Sequence, residues 1–369
     1  MKRAIKKETK TGNRDFRSFL GEEAMQKEVN ICLFHSKECT LELFRPLTIR
    51  KLKLRNRIVM PPMATVMDIS TLRARKYYRE RARGGVGLII VEGTSIDKFS
   101  SVEFVTALSL LAKTVHKEGS GIIIQLFQGS KLQNGEMVAP SATEVSREAT
   151  EKEIEEMMEK FATSSFLAQK AGFDGVEIHG AHTYFLNQFF SPILNHRDDR
   201  FGGGLEKRMN FGLGCVRAVR ERVKEEFLIF YRHTPVDWND RGYTIEDSNV
   251  FCSRLEEEGL DVIDVSPSSD DSHSYVEYAD EIKKAVRIPV IAVGGMEDPQ
   301  KGKRALSSNK CDLVAIGRGL IADPYWPIKV KEGREKEIIR CIKCNEKCYG
   351  NLIEDIPISC AQNRNVGFE

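Results

Sequence analysis

Four cysteines near the C-terminal end of this 369-residue chain have the spacing of a metal site. They are Cys341, Cys344, Cys348 and Cys360, in the pattern C-x2-C-x3-C-x11-C, whereas the other five cysteines are scattered. Because thiols stay reduced in the cytosol, clustered cysteines indicate metal ligands and not disulfides. We therefore expect a cytoplasmic protein. Four thiolates bind either zinc or an iron–sulfur cluster, and the spacing alone leaves both open.

A second group of reactive side chains is the pattern H-x-x-H-x-Tyr, formed by His179, His182 and Tyr184. Two imidazoles can donate hydrogen bonds to a carbonyl or anionic oxygen, and a tyrosine can deliver a proton. A histidine pair can also be half of a zinc site, but the carboxylates of this segment do not complete one. The pattern favours a site that binds a carbonyl group or an oxyanion.

Two glycine segments, Gly294-Gly295 and Gly317-Arg318, stand at the ends of apolar runs. Glycine lets backbone N–H groups approach an anion, and the Arg318 guanidinium adds positive charge. The alternative is that these glycines only turn tight corners. We favour a phosphate site, because both segments follow what would be the last two of eight strands, where β/α barrels commonly bind phosphate.

From about residue 44, short apolar runs rich in β-branched residues alternate with longer amphipathic stretches. Near-continuous apolar character is typical of strands that are buried on both faces. Polar residues follow nearly every run, among them Glu92, Gln128 and Ser266. Residues 152–171 and 207–224 have apolar residues at helical spacing. The eight runs are residues 57–63, 87–93, 121–128, 175–180, 226–232, 261–267, 289–295 and 313–319.

Eight strand–helix units over about 270 residues predict an α/β fold, the (β/α)8 TIM barrel. The alternative is a doubly wound open sheet, which we disfavour because no G-x-G-x-x-G opens the first helix. In a barrel the strand ends share one face, so their polar residues converge. We expect a barrel over residues 43–330 and a four-cysteine segment over residues 331–369. Residues 1–42 are polar and predict a disordered or loosely docked N-terminal extension.

The composition excludes several classes of protein. A net charge of +2 gives no electrostatic reason to expect a nucleic-acid or anionic-membrane partner. No apolar run approaches the roughly 20 residues that a membrane-spanning helix needs. The first ten residues are basic but no apolar stretch follows them, so a secretory signal is not expected.

From about residue 43 to its end, the sequence resembles the Old Yellow Enzyme family of FMN-dependent ene-reductases. Its tail, CIKCNEKCYGNLIEDIPISC, is similar to the [4Fe–4S] segment of the 2,4-dienoyl-CoA reductase and trimethylamine dehydrogenase branch. Gln128 stands where the family often has histidine, and HGAHTY replaces the usual HGAHGY, so the substrate class stays open. The segments that carry the resemblance are NRIVMPPMAT, GGVGLIIVEGT, DGVEIHGAHTYFLNQFFSPILNHRDDRFGG, PVIAVGG and DLVAIGRGLIADPYW.

The resemblance implies FMN at the mouth of the barrel. It assigns Gln125 to the pyrimidine edge of the flavin and Arg232 to the charge near N1 of the reduced ring. His179 and His182 match the family's site for the substrate carbonyl, and Tyr184 matches its proton donor. The other cofactor-binding residues that it implies are Pro62, Met63, Ala64, Thr65 and Gly93 around the ring, and Gly294, Gly295, Gly317 and Arg318 at the phosphate.

The implied reaction moves a hydride from N5 of reduced FMN to the β-carbon of an α,β-unsaturated carbonyl compound, and Tyr184 protonates the α-carbon. Electrons enter through a [4Fe–4S] cluster, with NAD(P)H as a direct or indirect donor. Long members of the branch continue into further FAD- and NAD(P)-binding domains about where this chain ends. We therefore expect either a fragment of a longer reductase or a separate electron-donor flavoprotein. Assembly into a homo-oligomer stays open.

Two alternatives compete with this interpretation. The first is an iron–sulfur flavoprotein dehydrogenase or demethylase that acts on an amine. His179, His182 and Tyr184 suit a carbonyl better than a cationic amine, which would call for an aromatic cage. The second is a barrel that is stapled by zinc and serves as a non-catalytic subunit.

Overall fold

Eight parallel strands close into a barrel in the computed structural model, which describes residues 42–267 and 275–369. Around the barrel the order is β3, β4, β5, β8, β9, β10, β11 and β12, and the predicted (β/α)8 fold is confirmed. The predicted N-terminal extension lies outside the described residues, apart from residue 42. The barrel strands are Ile58–Met60 (β3), Leu88–Ser95 (β4), Gly121–Phe127 (β5), Gly175–Gly180 (β8), Leu228–His233 (β9), Val262–Val265 (β10), Val290–Val293 (β11) and Leu313–Ala315 (β12).

Helices follow the barrel strands. Among the described residues the α-helices are Leu72–Arg83 (α1), Val102–Lys117 (α2), Glu151–Lys170 (α3), Phe185–Phe190 (α4), Leu205–Arg222 (α5), Ile245–Glu257 (α6), Tyr275–Ala285 (α7), Pro299–Ser307 (α8), Arg318–Ala322 (α9), Trp326–Lys331 (α10) and Tyr349–Ile353 (α11), and 3-10 helices cover Ile96–Ser100 and Glu335–Glu337. The predicted helices at 152–171 and 207–224 correspond to α3 and α5. Thr150 and Glu153 form a capping box at the start of α3.

Within the part of the chain that the structure describes, two small sheets accompany the barrel. The antiparallel hairpin of Leu47–Ile49 (β1) and Leu52–Leu54 (β2) contributes Ile49 and Leu54 to the apolar cluster inside the barrel. Strands Val138–Ala139 (β6) and Arg147–Glu148 (β7) pair in the long connection between β5 and α3. Neither sheet was predicted from the sequence, because strands this short leave almost no periodic signal.

Alternating residues on each barrel strand serve two separate cores. Val59, Ile90 and Phe230 belong to the cluster inside the barrel, whereas their neighbours on the strands pack outward against the helices. Because both faces are buried, each strand reads as a continuous apolar run. Strand β3 ends at Met60 because the next two residues are prolines, which donate no hydrogen bond to a sheet.

The apolar filling of the barrel gives way to polar side chains towards the carboxyl ends of the strands. Gln125, Glu177, Arg232 and Asp264 each stand two residues beyond an interior position on β5, β8, β9 or β10. Side chains two residues apart lie on the same face of a strand, so these four point into the barrel. All four are buried.

The cysteine-bearing segment packs back onto the barrel. The Ile358 backbone N–H donates to the Thr65 carbonyl at 2.8 Å, which ties this segment to the loop after β3. Ile358 and Val366 are buried in the main apolar core. Arg81, fully buried on α1, pairs with Glu369 at 2.8 Å. Within the described ranges, no helix combines the length and apolar character that would let it cross a membrane.

We expect Gly180→Ala to lower the free energy of unfolding by about 1–3 kcal/mol, the usual cost of overpacking a core. A Cβ at Gly180 would lie 2.0 Å from Tyr231 Oη, and the tyrosine ring is buried. Urea denaturation measures the change. Gly129→Ala is the control, because its Cβ would meet no atom closer than 3.8 Å. Equal stability of the two variants would contradict the packing of β8 against Tyr231.

Candidate functional site

The carboxyl ends of the barrel strands bring the predicted site residues to one mouth, as a parallel barrel requires. The β10 end contributes Ser266, for which the sequence indicated no role. Of the loop after β3, Thr65 is buried, Pro62 and Met63 are half-buried, and Ala64 is exposed. The predicted residues lie in the loop after β3 (Pro62, Met63, Ala64, Thr65), on β4 (Gly93), β5 (Gln125), β8 (His179) and β9 (Arg232), after β8 (His182, Tyr184), after β11 (Gly294, Gly295) and after β12 (Gly317, Arg318).

Glu92 fixes the loop that follows β3. Its two carboxylate oxygens accept hydrogen bonds from the Thr65 hydroxyl at 2.5 Å and from the Thr65 backbone N–H at 2.6 Å. Burial raises the pKa of Glu92 to about 7, although the bonds from Thr65 oppose this shift. A Cβ added at Gly317 would lie 3.3 Å from Met63 Sδ. The residue that follows β12 therefore lies close to the loop after β3.

Gln125 is oriented by a buried acid on the next strand. Its Nε2 donates to Glu177 Oε1 at 2.8 Å, which leaves the amide oxygen to face the other way. A Cβ at Gly93 would lie 3.1 Å from Gln125 Oε1. The missing side chain at Gly93 therefore keeps space open beside the amide oxygen.

Arg232 places a positive charge at the base of the mouth. Its side chain is buried, and Nη2 donates to Ser266 Oγ at 2.8 Å. Nη1 lies 3.6 Å from Asp264 Oδ2. Its Nε has no hydrogen-bond partner among the described residues. The guanidinium therefore has an N–H group that can still donate a hydrogen bond.

His179, His182 and Tyr184 form one cluster. The ring centroid of His179 lies 4.5 Å from that of Tyr184 and 5.5 Å from that of His182. His182 and Thr183 have left-handed backbones, with φ of 56° and 58°. The His182 N–H donates to Thr234 Oγ1 at 2.9 Å, which helps to hold this unusual turn. Tyr184 remains 44% exposed, so its hydroxyl can meet a substrate.

Both imidazoles are neutral at pH 7. Burial lowers the pKa of His179 well below its ordinary value, and the positive charge of Arg232 lowers it further. Burial, followed by the charge of Arg232, lowers the pKa of His182 to about 3. A neutral imidazole carries one N–H donor and one acceptor nitrogen.

Ser266 links Arg232 to His182. Arg232 can only donate, so the Ser266 hydroxyl accepts a hydrogen bond from it. His182 Nε2 lies 2.9 Å from Ser266 Oγ, and the tautomer of His182 decides which of the two groups donates. His179 Nδ1 has no hydrogen-bond partner in the part of the chain that the structure describes. The cluster can thus present polar nitrogens to an incoming oxygen.

Gly294 and Gly295 adopt left-handed backbones, with φ of 107° and 70°. A Cβ at Gly294 would lie 2.6 Å from Tyr275 Cγ, and one at Gly295 would lie 2.8 Å from Lys301 Nζ. The left-handed backbone therefore requires glycine at both positions, and at Gly294 the Tyr275 ring also leaves no room for a Cβ. Lys301 brings an ammonium group to this segment, and the sequence gave no signal of that because Lys301 lies on α8.

Arg318 points towards the cysteine-bearing segment. Its Nη1 donates to Asn345 Oδ1 at 2.8 Å, and Asn345 directly follows Cys344. The guanidinium therefore joins the end of β12 to the loop that carries the cysteines, in addition to any contact with an anion at the mouth.

The four cysteines of the tail border one cavity, together with Arg318, Ile321 and Asn345. Within residues 42–267 and 275–369, no group of three or more His, Cys, Asp or Glu side chains is arranged to hold a single metal ion. A larger cavity of ≈ 560 Å³ adjoins the first, lined by Met63, Ala64, Tyr349 and Ile358 among others. Arg318, Ile321, Asn345 and Cys348 border both cavities. The cysteines therefore lie next to the loop after β3.

Two buried acids, Glu177 and Asp264, belong to the site although the sequence analysis did not single them out. Their signal was present, since each is a lone carboxylate inside an apolar run, in GVEIHG and DVIDVSP. A carboxylate in such a run is buried and needs a partner. Which partner it meets depends on the neighbouring strands.

A family model described as the NADH:flavin oxidoreductase / NADH oxidase family matches residues 42–337. The chain is 38% identical over 367 residues to NADH oxidase of Thermoanaerobacter brockii, a match that covers 89% of this chain and 56% of that protein. It is 31% identical over 386 residues to cinnamate reductase of Clostridium sporogenes, covering 89% of this chain and 58% of that protein. The chain thus spans about half the length of these curated relatives.

Among solved structures, morphinone reductase in complex with tetrahydroNAD superposes with a TM-score of 0.70 and 26% sequence identity. The match covers 79% of this chain and 90% of that one. The similarity therefore extends over most of this chain and nearly the whole length of that protein.

We predict that the Cε1–H proton resonance of His182 keeps its chemical shift between pH 8 and pH 5, because the pKa of this imidazole is about 3. His116 is the matched control. A hydrogen bond to Asp174 raises its pKa above 6.5, so its resonance should titrate in the same range. His182→Gln and His116→Gln assign the two resonances. A midpoint near pH 6 for His182 would contradict its burial beside Arg232.

Proposed function

The chain belongs to the NADH:flavin oxidoreductase / NADH oxidase family, and on that premise we propose that it is an FMN-dependent ene-reductase. Its substrates are α,β-unsaturated carbonyl compounds, and its electrons arrive through a [4Fe–4S] cluster. The observation that carries the proposal is the cluster of two neutral histidines and an exposed tyrosine, His179, His182 and Tyr184, at a mouth that also presents Arg232. The cinnamate reductase among its relatives supports this class of substrate.

The residues at the mouth fit FMN. Gly294 and Gly295 have left-handed backbones, and the Lys301 ammonium group lies beside them, so backbone N–H groups and a positive charge are available to a phosphate. Arg232 has an unpartnered buried donor, which suits negative charge on a reduced ring. The Gln125 amide oxygen faces the open space at Gly93 and suits an N–H of the pyrimidine edge. When bound, FMN supplies the hydride, and the protein supplies position and charge.

His179 and His182 hold the carbonyl oxygen of the substrate in this proposal. As the β-carbon gains a hydride, negative charge develops on that oxygen, and hydrogen-bond donors that are already in place stabilise it. A neutral imidazole carries one N–H group that can donate a hydrogen bond to this oxygen. Neutral imidazoles also avoid placing further positive charge beside Arg232, which burial would make costly.

Tyr184 protonates the α-carbon. Its ring rests 4.5 Å from the His179 ring and 5.6 Å from the Phe127 ring, so two neighbours restrict its position. Its exposed face leaves the hydroxyl open to a bound substrate and to solvent that restores the proton.

All four cysteines border one cavity, so their thiolates can converge on a single metal centre. The similarity of their spacing to a [4Fe–4S] segment favours an iron–sulfur cluster over zinc. A cluster there would supply single electrons to FMN across the cavity at Met63 and Ala64. NAD(P)H is the proposed source, either as a direct hydride donor to the FMN or through a separate donor flavoprotein that passes electrons one at a time to the cluster.

Tyr184→Phe should slow alkene reduction by about 10²–10⁴-fold, the usual worth of a positioned proton donor, and leave flavin reduction unchanged. Anaerobic stopped-flow measurement of each half-reaction, with an enone as the oxidant, separates the two effects. Tyr325→Phe is the control, because the Tyr325 hydroxyl bonds to Glu80 at 2.7 Å near the carboxyl end of α1, away from the mouth.

Unchanged alkene reduction in Tyr184→Phe would refute the proton-donor role. If a methylated amine reduced the FMN while an enone failed to reoxidise it, the reaction would be amine dehydrogenation and the proposed substrate class would be wrong.

Cys344→Ser should lose most of the iron and acid-labile sulfide of the anaerobically purified protein while retaining FMN, because removing one of four ligands opens the cluster. Metal, sulfide and flavin analysis measures this. Cys252→Ala is the control, since Cys252 is buried in the barrel wall. One zinc per chain without iron in the unmodified protein would instead support a zinc-stapled subunit.

A further inference from the structure

We infer that Glu177 and Asp264 share one proton beneath the mouth and act as a single monoanion that positions Gln125 and Arg232. The inference deepens the proposed function and rests on it, because the group that these two side chains meet is the flavin. Neither acid touches the flavin or the substrate, so both are positioning residues.

The strand register brings the four side chains together. Gln125 and Glu177 are directly paired across β5 and β8. Arg232 and Asp264 are directly paired across β9 and β10. Glu177 on β8 and Asp264 on β10, both fully buried, stand on either side of β9 and lie within hydrogen-bonding reach of each other.

The oxygens of the two acids lack enough donors if both are ionised. Gln125 Nε2 supplies Glu177 Oε1, but Glu177 Oε2 and both Asp264 oxygens have no hydrogen-bond donor among the described residues. The distance of 3.6 Å from Arg232 Nη1 to Asp264 Oδ2 is too long for a hydrogen bond. Buried carboxylate oxygens without donors are costly. One proton between the two acids provides an O–H···O⁻ bond, which is short and strong.

The surrounding charges agree with one proton on the pair. Burial is the main cause that raises the pKa of Glu177, and the charge of Asp264 is the next. Arg232 opposes both shifts. His179 and His182 stand beyond Arg232 and are neutral. A monoanionic pair and Arg232 therefore sum to zero charge in the buried interior.

The consequence for the site is twofold. Glu177 fixes the Gln125 amide with its oxygen towards the mouth, because Nε2 is committed to the acid. The single negative charge of the pair balances the single positive charge of Arg232. A doubly ionised pair would outweigh the guanidinium and disfavour negative charge on a reduced flavin, whereas a monoanion leaves Arg232 able to respond to it.

Three variants test the shared proton. Glu177→Gln and Asp264→Asn each replace a protonated acid with an amide that still donates to the other carboxylate, so each keeps one negative charge. The double variant Glu177→Gln/Asp264→Asn removes that charge. The first measurement is infrared spectroscopy of the FMN-free protein, which needs no flavin chemistry.

At pH 9, above the pKa of about 7 for Glu92, the FMN-free wild type should show the C=O stretching band of a protonated carboxyl group. Either single variant should lose this band. Glu92→Gln is the control and should retain it. Absence of the band in the wild type, or its survival in both single variants, would overturn the inference.

The second measurement is the ratio of the affinities for reduced and oxidised FMN. The single variants should change this ratio less than threefold, and the double variant should raise it at least tenfold, which is about 30 mV for a two-electron couple. Single variants that each give half of the double variant's free-energy change would mean two ionised acids and refute the shared proton.

If the wild type bound no FMN, the proposed function would fail, while the infrared result would still decide the protonation of the pair. If the double variant did not fold, the infrared C=O band in the wild type and in the two single variants would decide whether the acids share a proton.

Discussion

Closure of eight parallel strands into a barrel constrains everything else in this structure, because it buries both faces of every strand and gathers all carboxyl ends at one mouth. The lower interior is filled by apolar side chains. The upper interior cannot be filled in the same way, since the residues that serve the mouth must be polar. The filling changes from apolar to polar two residues beyond the apolar cluster on each of four strands. Gln125, Glu177, Arg232 and Asp264 meet at this level.

Arg232 is the central charge of that polar layer. A buried guanidinium requires compensation, and its partners extend in two directions. Towards the interior it faces Asp264, and through Asp264 it meets Glu177 and Gln125. Towards the mouth it bonds to Ser266, which in turn forms a hydrogen bond with His182. One buried cation thus influences both the predicted flavin-binding residues and the histidine cluster.

The cysteine-bearing segment is joined to the same mouth by two hydrogen bonds. Ile358 bonds to the carbonyl of Thr65, and Arg318 bonds to Asn345 between two cysteines. Thr65 is itself held by Glu92 on β4. The four cysteines are consequently not a separate appendage, because movement of their loop would be transmitted to the residues that follow β3 and β12.

The sequence by itself determined the eight strands, the two long helices and the polar strand ends, because burial on both faces and helical spacing leave periodic signals. It also determined the cysteine spacing, which indicates a metal without naming it. Tertiary structure decided what periodicity cannot show. Glu177 and Asp264 read only as charges within apolar runs, and their meeting within the interior depends on the register of strands distant in sequence. Lys301 and Asn345 likewise gained their places from packing between elements, and the roles of the predicted FMN and cluster ligands stay predictions.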